Sequence, residues 1–263
     1  MSLFVDLDGV SKVFPVSSSA TGDLAAAISS KGESERGIEG KLAVDGVTLT
    51  LKEGERLGIV GRNGAGKSTT LKAIMGLLPE VAGSVRFAGG EIGGRAPHHI
   101  ARLGLGYVPE ERRIFTDLTV AENLEVGRLP VRAQVTDAPR WSVDRVCALF
   151  PKLGEMLDRP GGQMSGGEQQ MLTIARTLMG NPKAILLDEP SEGLAPIVVE
   201  RIADSVKELK REGLCVILSE QNLNFARAIA DRAVVIERGS VRYEGDFAAL
   251  AADPALAAHY LAA

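Results

Sequence analysis

The chain has 263 residues, 45% of them hydrophobic and 24% charged, with a formal net charge of −4. That length carries one large α/β core rather than two independent domains, and the mild acidity, without any lysine or arginine arm, gives no basis for a nucleic-acid surface. No apolar stretch reaches the roughly eighteen residues of a membrane-spanning helix, and Met1-Ser2-Leu3-Phe4-Val5-Asp6 lacks the basic-then-apolar order of an export signal.

Phe4 to Phe14 and Val47 to Leu51 read as strands of an antiparallel layer, to which Val85 to Phe87 adds another. Between the first two, Pro15 to Gly40 is rich in Ser, Gly, Glu and Ala with only scattered apolar residues. Such a composition buries too little area to order itself. A surface loop, or a short exposed helix around Leu24 to Ile28, is expected there, with docking onto a partner as the functional alternative.

Glu55 to Val60 reads as a short buried strand. It leads into Gly61-Arg62-Asn63-Gly64-Ala65-Gly66-Lys67-Ser68-Thr69, which fits G-x-x-x-x-G-K-[ST]. In that pattern glycines let backbone N–H groups close around phosphates, the lysine neutralises the outer phosphates, and the serine hydroxyl coordinates Mg²⁺. Lys67 to Leu78 then carries helical spacing through Leu71, Ile74, Met75 and Leu78, so phosphate meets a helix N-terminus with its partial positive charge. A flexible strand-to-helix turn is the plain alternative, although such a turn does not ask for Lys-Ser at this register. Alone, the loop leaves kinases, GTPases and motor ATPases open.

Leu118 to Met164 reads as a helical subdomain, with helices at Thr119 to Val126 and Trp141 to Phe150 and interruptions at Pro151 and Pro160-Gly161-Gly162. Next comes Met164-Ser165-Gly166-Gly167-Glu168-Gln169-Gln170. Ser165 and Glu168 have the spacing of a capping box opening the helix Glu168 to Met179, and a helix start of this kind can also face a phosphate. The apolar run Ala184 to Leu187 delivers Asp188-Glu189-Pro190, as expected of a buried parallel strand that presents acids at the sheet edge where ligands bind. There Asp188 can hold the water shell of Mg²⁺ and Glu189 can polarise an attacking water; a solvated acidic turn is the alternative.

Beyond it the pattern predicts a helix over Ile197 to Arg211, a strand over Leu214 to Leu218, a helix over Leu223 to Ala230 and a strand over Ala233 to Glu237. A hairpin through Gly239-Ser240 into Val241 to Glu244 follows, then an alanine-rich tail of helical propensity. Cys147 and Cys215 read as two buried reduced thiols, which fits a cytoplasmic face. His98, His99 and His259 form no ligand spacing with each other or with the cysteines, so no zinc site is expected.

The order of these strings resembles the nucleotide-binding subunits of ABC transporters over nearly the whole chain, with a Walker A loop at Gly61 to Thr69, a signature loop from Ser165 and a Walker B strand ending at Asp188-Glu189. Tyr107-Val108-Pro109-Glu110 is similar to the Q-loop, Ser191 to Pro196 lies where the D-loop falls, and Ser219-Glu220-Gln221-Asn222 occupies the switch position. Val108 to Phe115, Leu118 to Leu124 and Asp188 to Pro196 resemble the branched-chain amino acid, or LivF-type, subfamily. The resemblance implies one α/β domain over 1–263, a P-loop NTPase nucleotide-binding domain with an antiparallel β subdomain and a helical subdomain over 118–164.

It also implies a site and partners. ATP would be held by Gly61, Arg62, Asn63, Gly64, Ala65, Gly66, Lys67, Ser68 and Thr69, and by Ser165, Gly166, Gly167 and Glu168 of a facing copy. Mg²⁺ would sit with Ser68, Asp188 and Glu110, and Glu189, Gln221 and Glu110 would serve catalysis. Phe14 is the candidate for stacking on adenine, a plain core aromatic being the alternative. The implied function is ATP hydrolysis powering import of branched-chain or related amino acids at the cytoplasmic face of the inner membrane. Its partners would be a second ATP-binding subunit, transmembrane permeases that meet the Q-loop side of the helical subdomain, and indirectly an extracytoplasmic substrate-binding protein.

Four positions depart from the superfamily pattern. Glu110 stands for the Q-loop glutamine, Ala195 for the D-loop aspartate, Gln221 for the switch histidine and Glu168 for the glutamine that closes the signature. Glu110 and Glu168 are frequent in the branched-chain subfamily, whereas Ala195 and Gln221 bear on the rate and on communication between sites. Two other readings stand beside the importer. The long connection at Pro15 to Gly40 fits an exporter of polysaccharide or lipid. A soluble ABC ATPase acting on ribosomes or DNA usually has two cassettes or a coiled-coil insertion, and this chain has neither.

Overall fold

A computed structural model describes residues 3–15, 40–129 and 141–252. The expected exposed helix at Leu24 to Ile28, the rest of its segment up to residue 39, and the tail beyond 252 lie outside the described residues. Alternating apolar residues build the first sheet: β1 (Leu3–Pro15) buries Val5, Leu7 and Val10, and pairs antiparallel with β2 (Gly40–Lys52). β2 starts well before the expected Val47, because Leu42 and Val44 continue the ladder opposite Val13 and Lys12.

β3 (Arg56–Val60) leaves this layer for a second sheet, and α1 (Lys67–Ile74) follows it. The helix stops short of the expected Leu78 because Gly76 adopts φ 68°, with its Cα so near the Arg95 carbonyl that a Cβ would stand 2.4 Å from that oxygen. β4 (Ala82–Phe87) and β5 (Gly90–Glu91) complete the antiparallel sheet in the order β2-β1-β4-β5.

Two elements follow that the sequence pattern does not announce, α2 (Pro97–Leu103) and β6 (Leu105–Val108). Among the described residues four α-helices then come before the next strand: α3 (Val120–Val126), α4 (Val143–Leu149), α5 (Pro151–Gly154) and α6 (Gly166–Leu178), with a 3-10 turn at Gly161–Gln163 before the last. Ser142 caps α4, and Pro151 starts α5 as a separate turn rather than merely interrupting. The remainder alternates as β7 (Ala184–Asp188), α7 (Pro196–Arg211), β8 (Cys215–Glu220), α8 (Leu223–Ile229), β9 (Arg232–Glu237), β10 (Ser240–Gly245) and α9 (Phe247–Ala252).

The second sheet has the order β10-β9-β3-β8-β7-β6, parallel except for β10. The central parallel strands β3, β7, β8 and β9 are apolar on both faces, as a covered parallel sheet requires. Ile185, Leu187, Val216, Leu218 and Val235 join one cluster with α6, α7 and α8, while Leu186, Ile217, Val234 and Ile236 join another with α1 and the antiparallel sheet. Cys215 is buried, but Cys147 is only half-buried, so the expectation of two buried thiols holds for one.

The helical half is pinned by one side chain. Asn123 is fully buried; its Oδ1 accepts the Phe115 N–H at 2.9 Å, and its Nδ2 donates to the carbonyls of Phe115 at 2.9 Å, Leu118 at 3.2 Å and Thr119 at 3.0 Å. Asn123→Ala removes the acceptor of the Phe115 N–H, while the three carbonyls each keep a backbone donor, and is expected to cost about 1–3 kcal/mol. Urea unfolding checks this, and an unchanged midpoint and slope would show that water replaces the amide without penalty.

Candidate functional site

The topology brings the ends of β3, β7 and β8 side by side, so residues more than a hundred positions apart meet at one sheet edge. Between β3 and α1 the chain turns through Gly66 at φ 111°, where a Cβ would lie 2.7 Å from the Ala43 carbonyl. Gly66 caps α1 without any side-chain hydrogen bond, and the first turn carries no acid. The leading N–H groups of α1 are thus open to an anion.

Lys67 points back into this curve. Its Nζ lies 2.8 Å from the Gly61 carbonyl, 3.1 Å from that of Arg62 and 2.9 Å from Glu189 Oε1, and the side chain is 3% exposed. Arg62, Asn63 and Gly64 form the exposed rim, Ala65 is buried, and Ser68 and Thr69 are half-buried in the first turn of α1.

Asp188, at the end of β7, is wholly buried. Ser68 Oγ and Ser219 Oγ donate to its Oδ1 at 2.7 and 2.6 Å, and the Tyr107 hydroxyl donates to its Oδ2 at 2.9 Å. Burial, and then the charge of Asp188, push the Tyr107 hydroxyl far above the usual phenol range, so it remains a donor. Glu189 follows at φ 46°, a left-handed conformation uncommon outside glycine. Its N–H donates to the Ser219 carbonyl at 3.1 Å and to Ser219 Oγ at 3.2 Å, which hold the backbone in that conformation. Gln221 Nε2 donates to Glu189 Oε2 at 3.2 Å.

Lys67, Ser68, Asp188, Glu189 and Gln221, all singled out in the sequence, are therefore brought together. Glu110 is exposed, and its carboxyl is raised by partial burial and by the charges of Glu192, Glu189 and Asp188, which puts it in the same acidic neighbourhood.

The other half of the expected site lies elsewhere. Ser165 caps α6 in a reciprocal box with Glu168, the Ser165 N–H donating to Glu168 Oε2 at 2.8 Å. That bond is the main reason the Glu168 carboxyl sits below its ordinary range. Gly167 packs where a Cβ would stand 2.6 Å from Val198, and Gly166 lies beside the Arg112 guanidinium. Among the described residues no hydrogen bond links Ser165 to the loop 61–69. Phe14, at the end of β1, is 38% exposed with the Lys12 ammonium 5.4 Å from its ring centre, so it is no core aromatic.

Tyr107 and Ser219 are contacts of Asp188 that sequence reasoning missed. Both lay inside strings already noted, but nothing in local spacing says that a tyrosine 81 positions before Asp188 reaches it.

Residues 44–192 match the family model described as ABC transporter. The chain is 44% identical over 221 residues to the high-affinity branched-chain amino acid transport ATP-binding protein BraG of Pseudomonas aeruginosa, covering 83% of this chain and 93% of that protein. It is 35% identical over 212 residues to the lipopolysaccharide export system ATP-binding protein LptB of Escherichia coli K12, covering 80% and 87%. Among solved structures, the nucleotide-free ATP-binding cassette of an ABC transporter superposes with a TM-score of 0.74 at 25% identity, covering 97% of each chain. A dimeric bacterial ABC transporter cassette gives 0.72 at 25% identity, covering 92% and 98%. With its phosphate loop, its Ser165-capped helix α6 and its paired acids in that order on this fold, the chain is a member of the ABC transporter ATPase family.

Proposed function

We propose that this chain is the ATP-hydrolysing subunit of an importer for branched-chain or related amino acids. The observation that carries hydrolysis is the direct contact of Lys67 and Gln221 with Glu189 beside the hydrogen-bonded pair Ser68 and Asp188. The observation that favours the cargo is the 44% identity to BraG across nearly its full length.

The ammonium of Lys67 and the open N–H groups of α1 bind the outer phosphates of ATP, and Phe14 offers its exposed ring to adenine. Ser68 and Asp188, hard oxygen donors 2.7 Å apart, fit Mg²⁺. The bound metal would supply neutralisation of phosphate charge. As Lys67 turns to phosphate, Glu189 Oε1 is released to take a proton from water, while Gln221 holds Oε2. Glu110 adds a carboxylate near the same oxygens. Ser165, Gly166 and Gly167 are read as the opposite wall of the nucleotide in a dimer, with Glu168 holding Ser165 in place. Among the described residues no helix is long and apolar enough to cross a membrane. On this reading permease subunits supply the pore, with this chain at their cytoplasmic face and a substrate-binding protein outside.

The second reading, export of a lipid or polysaccharide, is favoured by the match to LptB. Reconstitution with permease and binding protein from the same operon separates the two. Turnover stimulated by leucine-loaded binding protein supports import; turnover stimulated by lipopolysaccharide instead overturns it.

Glu189→Gln is expected to lower turnover about 10²–10⁴-fold with ATP binding retained. Light scattering of that variant with ATP should show a dimer, alone or with a second ATP-binding subunit, and only monomer under both conditions would sink the two-walled site. Lys67→Ala is expected to lose ATP binding and, by leaving Glu189 buried without its partner, to destabilise the nucleotide-free protein by about 3 kcal/mol. Calorimetry and nucleotide titration read the two effects separately, and unaltered ATP affinity would remove Lys67 from the phosphate site.

A further inference from the structure

Glu220 ends β8, is 1% exposed, and has no part in the site as described so far. Three loops meet on it. Its backbone carbonyl accepts the Gly61 N–H at 3.3 Å, Oε1 accepts the Ser191 N–H at 3.1 Å, and Oε2 accepts the Asn222 N–H at 3.1 Å. Ser191 lies two residues after Glu189, and Asn222 directly follows Gln221. The charge that bears on Glu220 is another acid, Glu189, whose own partner is Lys67. A buried carboxylate without a cation is costly, and a neutral side chain would fill the same space more cheaply. Its geometry accounts for its presence: only an ionised carboxylate offers a full acceptor to each of two N–H groups on opposite sides.

We propose that Glu220 is a positioning residue for hydrolysis, tying the loop that follows Glu189 to the loop that carries Gln221 so that base and amide keep their register. This rests on the reading of Glu189 as the base. Removing one oxygen's acceptor capacity lets the Gln221 loop drift from Glu189 Oε2 while Lys67 and the phosphate loop stay intact. Burial, the largest influence, raises the Glu220 carboxyl to about 7. Protonation then puts an O–H against one of the two N–H groups, so the tie is complete only above that pH. The linkage has a definite sign: the folded value lies above the ordinary 4.5, so stability from this group is present below 4.5 and lost as pH rises through about 7.

Glu220→Gln keeps the shape and replaces one acceptor by a donor. The expected result is a fall in kcat of about 10- to 100-fold, the equivalent of one charged hydrogen bond, with KM for ATP unchanged. The acidic limb of the wild-type rate profile near neutrality should vanish, as should this group's share of the stability lost between pH 4.5 and 7. In the nucleotide-free protein, exchange of the Ser191 and Asn222 amides should accelerate. The same amides in the wild type should gain protection, beyond the intrinsic pH effect on exchange, as pH rises through about 7; this arm needs no variant to fold. Wild-type kcat in the variant, retention of the acidic limb at lower kcat, or unaltered exchange at both amides overturns the proposal. Because exchange needs no turnover, it separates failure of the tie from failure of Glu189 as base.

Discussion

A buried carboxylate with three hydroxyl donors organises this molecule. Asp188 takes Ser68 and Ser219 on one oxygen and Tyr107 on the other. A charge withdrawn from water needs this kind of enclosure, and each donor arrives from a different element: α1, β8 and β6. The parallel order β3-β8-β7-β6 is what brings those ends level. Shifting any of these strands by one residue would turn its alternating side chains to the opposite face and leave the acid with too few partners. The site is thus as much a condition on the sheet as a product of it.

The departures from the family pattern read differently in three dimensions. Glu168 spends its carboxylate within the capping box, where an amide oxygen could accept the same N–H, so its identity is a matter of helix initiation. Ala195 stands at the N-cap of α7 with extended backbone and no capping hydrogen bond. An aspartate there would cap the helix and add about 1 kcal/mol. Gln221 supplies Glu189 with an amide donor that, unlike a histidine, does not ionise.

Features set by spacing along the chain were legible before any coordinates. The glycine-lysine-serine register gave the phosphate loop, the apolar run before Asp188 gave the buried strand, and Ser165 with Glu168 gave the start of α6. Features made by contact across the chain were not. β6 has only four residues, too few for a period to emerge, and pairs with β7 from some eighty positions away. Tyr107 and Glu220 sit inside recognisable strings, yet their roles depend on where separate loops meet. For Phe14, the core alternative fails on its exposure.

The central sheet separates two apolar layers. Side chains of the same strands alternate between the layer beneath α6, α7 and α8 and the layer beneath α1 and the antiparallel sheet. Loosening one layer would leave the other face of each strand packed, the arrangement in which two layers can open separately about a shared spine. The acids at the end of β7 belong to that spine. Loosening of the helical layer would therefore leave the strand that carries Asp188 packed from its other face.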